Sequence, residues 1–93
     1  MASKTYELDD EQLKKFHREM GERIKNLRKQ KGYKNHEKFA NDHDFARAQY
    51  NKYEKGVGMN FTSIVKVAAA MGVSLKEFFS QGFSDFDKLK DDQ

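Results

Sequence analysis

Apolar residues recur at Leu13, Phe16, Met20, Ile24 and Leu27, with spacings of three, four, four and three. Side chains so spaced share one face of an α-helix. The pattern predicts a first helix whose stripe faces a core. Asp9 followed by Gln12 has the form of a capping box at its start. Gly32 marks its end, after Lys29 and Lys31 near the negative end of the helix dipole. Gly21 lies inside the pattern and is an alternative start or a bend. The stretch "NHEKFAN" predicts a short second helix with Asn35 as N-cap. A third follows over residues 46–55 and ends at Gly56, and "VGMN" is a loop. The fourth covers residues 61–71, with Phe61, Ile64, Val65, Ala68 and Met71 as its buried stripe and Gly72 as its stop. Ser74 and Glu77 predict a capping box for a fifth, short helix reaching Phe79. No segment alternates like a strand. The expected class is all-α, a compact five-helix domain.

Only residues 41–45 join the second and third helices. Two short helices joined by a tight turn suit a helix-turn-helix, whose second helix can enter a major groove. Steps of about 100° put Arg47, Asn51, Lys55, Ala48 and Lys52 on one face of the third helix. Gln49, Tyr53, Ala46 and Tyr50 fall on the other, core-facing side. Arg pairs bidentately with guanine, Asn with adenine, and Lys meets guanine or phosphate. Ala48 leaves room for a thymine methyl. Any solvated helix face is polar, which is the plainer account of these residues. Against it stand the scarcity of acids, with Glu54 alone at the edge, and the position directly after the turn.

Composition narrows the classes. Ninety-three residues suit one domain. A mean hydropathy of −1.02 is polar for a globular chain, but eight Phe and four Tyr supply large buried area. No cysteine is present, which removes disulfides and thiolate metal sites. The longest apolar run, residues 67–71, is far short of the ~20 needed for a membrane span. The first ten residues lack an apolar signal core. The expectation is a cytoplasmic protein with a tail over residues 1–12, a domain over 13–83 and a polar, acidic tail over 84–93.

The net charge of +3 is unevenly spread. Residues 1–13 carry −3, residues 14–38 carry +7, residues 39–83 carry +1 and residues 84–93 carry −2. A basic surface attracts polyanions. Arg28, Lys29, Lys31, Lys34 and Lys38 raise this local field, with Lys34 and Lys38 expected nearest a bound duplex.

Catalysis has little support. His17, His36 and His43 fall on separate elements or faces. "NDHD", residues 41–44, has metal-ligating types, but consecutive turn residues seldom converge on one ion. "KGVG" follows a helix rather than a strand and is no phosphate loop. No enzyme, metal or cofactor is expected.

From residue 21 to 79 the chain resembles the phage-repressor and Cro-like (Xre-type) helix-turn-helix family. The resemblance rests on "GERIKNLRKQKGY", "FANDHDFARAQYNKYEKG" and "NFTSIVKVAAAMGVSLKEFF". It implies a lambda-repressor-like domain, here with an extended first helix and a short C-terminal tail. Arg47, Ala48 and Lys52 match the family's base-contacting positions, and Asn51 is a neighbouring candidate. His36 matches a phosphate-contacting position at the start of helix two. The preceding loop is one residue longer than usual, which makes Asn35 its rival. Gln49, Lys55, Asn60 and Thr62 match backbone-contacting positions. Arg28 and Glu54 match a structural ion pair between helices one and three. Departures from the family are Asp44 where Gly is frequent, His43 where an aliphatic is common, and Ala46 in place of a Ser or Thr cap. Asp44 is the expected substitute cap of helix three. Asp42 and Asp44 place acids near a surface that would face phosphate.

The implied function is a sequence-specific DNA-binding transcription regulator, expected to repress, with helix three in the major groove of double-stranded DNA. An antitoxin or protein-interaction module on the same scaffold is the alternative. Tyr6, Leu8, Phe83, Phe86 and Leu89 are apolar for tails. They cover the core, or Phe83 and Phe86 form a homodimer seam. No small-molecule ligand is expected.

Overall fold

The computed structural model describes residues 8–83. The chain runs α1 (Asp10–Gln30), α2 (His36–Asp42), α3 (Arg47–Glu54), α4 (Phe61–Met71) and α5 (Leu75–Phe78). Among the described residues there is no strand. The all-α, five-helix expectation matches this architecture. Tyr6, Phe86 and Leu89 lie outside the described residues.

Both halves of the capping box form at the start of α1. The Gln12 amide donates to Asp9 Oδ1 at 2.8 Å, and the Asp9 amide donates to Gln12 Oε1 at 3.1 Å. The helix then passes through Gly21 without a break. A Cβ on Gly21 would lie 2.5 Å from the Glu54 carbonyl oxygen and 2.7 Å from the Gly56 nitrogen. A Cβ on Gly56 would collide with the His17 carbonyl. So α1 and the end of α3 cross backbone to backbone, and Gly21 is there for the approach rather than for a bend.

The core draws Ile24 and Leu27 from α1, Phe39 and Ala40 from α2, and Tyr50 and Tyr53 from α3. Val67, Ala68 and Met71 come from α4 and Phe78 from α5. Met20 packs at its edge, while Leu13 is exposed. The half-buried Phe83 also packs against the core, its ring centroid 5.3 Å from that of Phe79.

The α4 stripe differs from the expected one. Phe61 is 68% exposed and Val65 is exposed, whereas Ser63 and Val67 are buried beside Ala68 and Met71. Asn60 is the N-cap, so Phe61 occupies the first helical position. Its hydrophobicity does not decide the phase. The spacing of Ser63, Val67 and Met71 is itself one face of a helix, with a serine at its head.

Besides α4, whose Val73 amide returns to Ala68 at 3.1 Å past left-handed Gly72, three helices end alike. In each, an amide two residues past the C-cap returns to a carbonyl five residues back: Tyr33 to Arg28 at 3.2 Å, Phe45 to Ala40 at 2.8 Å, Val57 to Lys52 at 2.9 Å. This Schellman geometry needs a left-handed residue between. Gly32 and Gly56 supply it twice, and Asp44, at φ 61°, supplies it after α2. Asp44 is therefore committed to the turn. The α3 N-cap is Ala46, which makes no side-chain cap hydrogen bond. The expectation that Asp44 caps α3 is not met.

Gly21→Ala tests the crossing. In an open helix Ala would stabilise by about 1 kcal/mol over Gly. Here the added methyl meets backbone, and forced overpacking costs about 1–3 kcal/mol or more. A net loss of stability is expected in denaturant titrations, with a lower midpoint and an unchanged slope.

Candidate nucleic-acid interface

The α3 helix packs against α1 and α2. Tyr50 and Tyr53 root it in the core, and their rings pack on Phe45, with Tyr50 also against Phe39. This leaves Arg47, Ala48 and Lys52 exposed, Asn51 half-buried beside them, and Lys55 exposed at the C-cap. The five residues of the expected outer face thus share the side away from the tyrosines. Two wheel assignments change. Ala46 is exposed, because it precedes the helix rather than lying within it. Gln49 is only half-buried, and a Cβ on Gly58 would lie 3.3 Å from its side-chain amide nitrogen.

Glu54 turns away from that outer face. Its carboxylate receives Arg28 Nε at 2.6 Å and a second guanidinium N–H at 3.1 Å. The remaining Arg28 terminal nitrogen donates to the Tyr33 carbonyl at 2.9 Å. Arg28 and Glu54 side chains are 4% and 8% exposed. The Arg28 pKa is raised, first by the hydrogen bond to Glu54, although burial opposes it. The buried Tyr50 hydroxyl lies beside this pair without a hydrogen bond of good geometry. Burial, then Glu54, push its pKa far above the ordinary tyrosine value.

The two expected phosphate-contacting helix starts are both capped. Asn35 Oδ1 accepts the Lys38 amide at 2.8 Å, and half-buried His36 is the first residue of α2. Asn60 Oδ1 accepts the Ser63 amide at 2.8 Å and the Ser63 hydroxyl at 3.0 Å. Thr62 is exposed in the first turn of α4.

The acids near this side are partly spent. Asp42 Oδ2 accepts the Tyr33 hydroxyl at 2.8 Å and lies 3.4 Å from Lys38 Nζ. Lys38, expected to serve the duplex, is thus shared with Asp42. His43 stacks on Phe39, centroids 4.2 Å apart, and its Nδ1 meets the Phe39 carbonyl at 3.0 Å. The ring therefore fills the place of an aliphatic residue. Among the described residues no three His, Cys, Asp or Glu side chains are grouped to hold a metal ion. Nor is any helix among them long and apolar enough to cross a membrane.

A family profile described as a helix-turn-helix domain matches residues 21–81. The chain belongs to the helix-turn-helix domain family. Within it the chain is of the Xre (Cro/C1) type. The control protein C.MunI of Mycoplasma sp is 34% identical over 61 residues, which are 64% of this chain and 82% of that protein. No solved structure matches. The family is one of DNA-binding transcription regulators, and that level of function holds for this helix-turn-helix chain.

Three structural residues of this helix-turn-helix had no place in the sequence reading. Arg23 is buried, and donates to the Phe78 and Glu77 carbonyls at 2.8 Å each, closing the end of α5. Its signal was its spacing, three past Met20 and four before Leu27. Tyr33 ties the α1–α2 loop down at both ends of its residue, through its carbonyl and its hydroxyl. Ser63 receives Tyr53 at 3.1 Å across the α3–α4 boundary.

Two outcomes test these contacts. Glu54→Ala leaves a buried guanidinium unpaired and should cost about 3–5 kcal/mol in chemical denaturation. Asp42 is held below the ordinary aspartate value of 3.8, first by the Tyr33 hydroxyl. Its contribution to stability is full above that value and fades as pH falls through the lowered one. Carboxyl NMR should place the Asp42 midpoint below 3.8, and Tyr33→Phe should move it up.

Proposed function

We propose that this protein is a sequence-specific transcription repressor that inserts α3 into the major groove of double-stranded DNA. The observation that carries the reading is the division of α3. Its tyrosines and Glu54 are consumed by the scaffold, while Arg47, Ala48 and Lys52 are exposed, with Asn51 beside them. In this reading Arg47 and Asn51 read base edges, and Lys52 meets bases or backbone. Gln49, Lys55, Asn60, Thr62 and His36, or Asn35 in its place, meet phosphate. Phosphate contacts set register and carry no sequence information. The similarity to a control protein supports a regulatory role. The protein works in the cytoplasm, and two copies bind an inverted repeat with half-sites about one helical turn apart.

The test is selection from random duplexes by wild type and Arg47→Ala side by side. Wild type should enrich an inverted repeat, with a log–log salt slope near −5 if roughly six phosphates are neutralised. Arg47→Ala should lose about 1–3 kcal/mol at that site and relax one base pair. Lys55→Ala should weaken all sequences about equally. Generic, salt-sensitive binding without enrichment would instead favour a protein-interaction module on this scaffold.

A further inference from the structure

Three polar groups link the recognition helix to the start of α4. The buried Tyr53 hydroxyl is 3.1 Å from Ser63 Oγ, which is 3.0 Å from Asn60 Oδ1. The direction of the hydrogens follows from chemistry. Asn60 Oδ1 is an acceptor only, so the single Ser63 hydroxyl proton goes to it. Ser63 Oγ can then only accept, so Tyr53 O–H is the donor. Asn60 Oδ1 also takes the Ser63 amide at 2.8 Å. Both lone pairs of that oxygen are filled. Asn60 is exposed, and its side-chain NH₂ has no hydrogen-bond partner among the described residues. The amide is thereby oriented. Its oxygen is held inward by the Ser63 amide and by the relay, and its two N–H donors are the part left for an anion.

We propose that Tyr53 and Ser63 are positioning residues, which fix the Asn60 NH₂ as a phosphate anchor at a set offset from α3. This rests on the reading that α3 enters the major groove. A phosphate held at Asn60 then sets the depth and register of α3, because the relay is a direct polar tie between Tyr53 of α3 and the first turn of α4. The buried serine at the head of the α4 stripe is explained by the same arrangement. An apolar residue there would pack against the core but would leave Tyr53 O–H unpaired and Asn60 Oδ1 held by the residue-63 amide alone.

The experiment is a double-mutant cycle on DNA affinity, using a duplex selected by wild type and an unrelated duplex of equal length. Tyr53→Phe removes the relay donor and keeps the buried ring. Asn60→Asp keeps both accepted hydrogen bonds and replaces the N–H donors with an anionic oxygen. Thermal melts confirm that each variant is folded at the assay temperature, and Ser63→Ala replaces Tyr53→Phe if the latter is not. Asn60→Asp should lose about tenfold or more on both duplexes. Tyr53→Phe should lose more on the selected duplex than on the unrelated one, which narrows the specificity ratio. The double variant should bind no worse than its weaker parent, because the relay has nothing to transmit once the anchor is gone. Ser63→Thr, which keeps a hydroxyl, should retain the wild-type ratio where Ser63→Ala does not. Additive losses, or a wild-type ratio in Tyr53→Phe, would overturn the positioning role while DNA reading stands. If wild type itself shows no preference between the duplexes, the DNA reading falls and the anchor with it.

Discussion

The ion pair between Arg28 and Glu54 holds the positions of three segments at once. One guanidinium grips α3 through two hydrogen bonds and the α1–α2 loop through a third. Taking two charges out of water is costly, and the cost is met only when geometry is good and the remaining protons are satisfied. Here the pairing is bidentate, and a third guanidinium N–H finds the Tyr33 carbonyl. The pair sits where α1 and α3 approach so closely that Gly21 and Gly56 have no room for a side chain. The angle of α3 on the body is therefore set from its C-terminal end, by a contact with a fixed geometry. The tyrosines hold the middle of the helix by packing, which is less directional.

Polar groups do unusual work in this small core. Arg23 closes α5, Arg28 closes onto α3, Ser63 stands in the α4 stripe, and Tyr33 ties a loop to α2. A domain of this size buries a modest fraction of its surface, so apolar burial alone leaves a narrow margin. Each of these groups gains a partner from a different element. They act as ties among α1 and four helices that are individually too short to persist alone.

Much of this was legible in the chain. The helix order, the capping box at Asp9 and Gln12, and the Asn35 and Ser74 starts follow from local chemistry, which neighbours rarely override. So does the outer face of α3, because Tyr50 and Tyr53 fix its phase. The α4 stripe was misread because Phe61 weighs heavily in any count of apolar residues, yet its position is decided by the cap before it. Asp44 was assigned to the wrong duty for a related reason. Capping and left-handed turns both favour aspartate, and only the chain path shows which need prevails. Arg23 and the relay through Ser63 were hidden because polar residues on a buried face read as interruptions until their partners are known. The base-reading assignments on α3 come from resemblance and helical phase, and geometry alone does not rank them.

The split character of α3 has an evolutionary corollary. The fold is secured by residues on one side of the helix and by its final turn. The side chains of Arg47, Ala48 and Lys52, at the exposed positions, make none of the hydrogen bonds or ion pairs described within the body. Replacing them leaves the ties intact. A lineage can therefore drift in what it addresses while its scaffold stays under constant selection. Near relatives with matching frames and dissimilar outward residues should be the rule for such a molecule, and overall sequence identity will be a poor guide to whether two of them compete for one target.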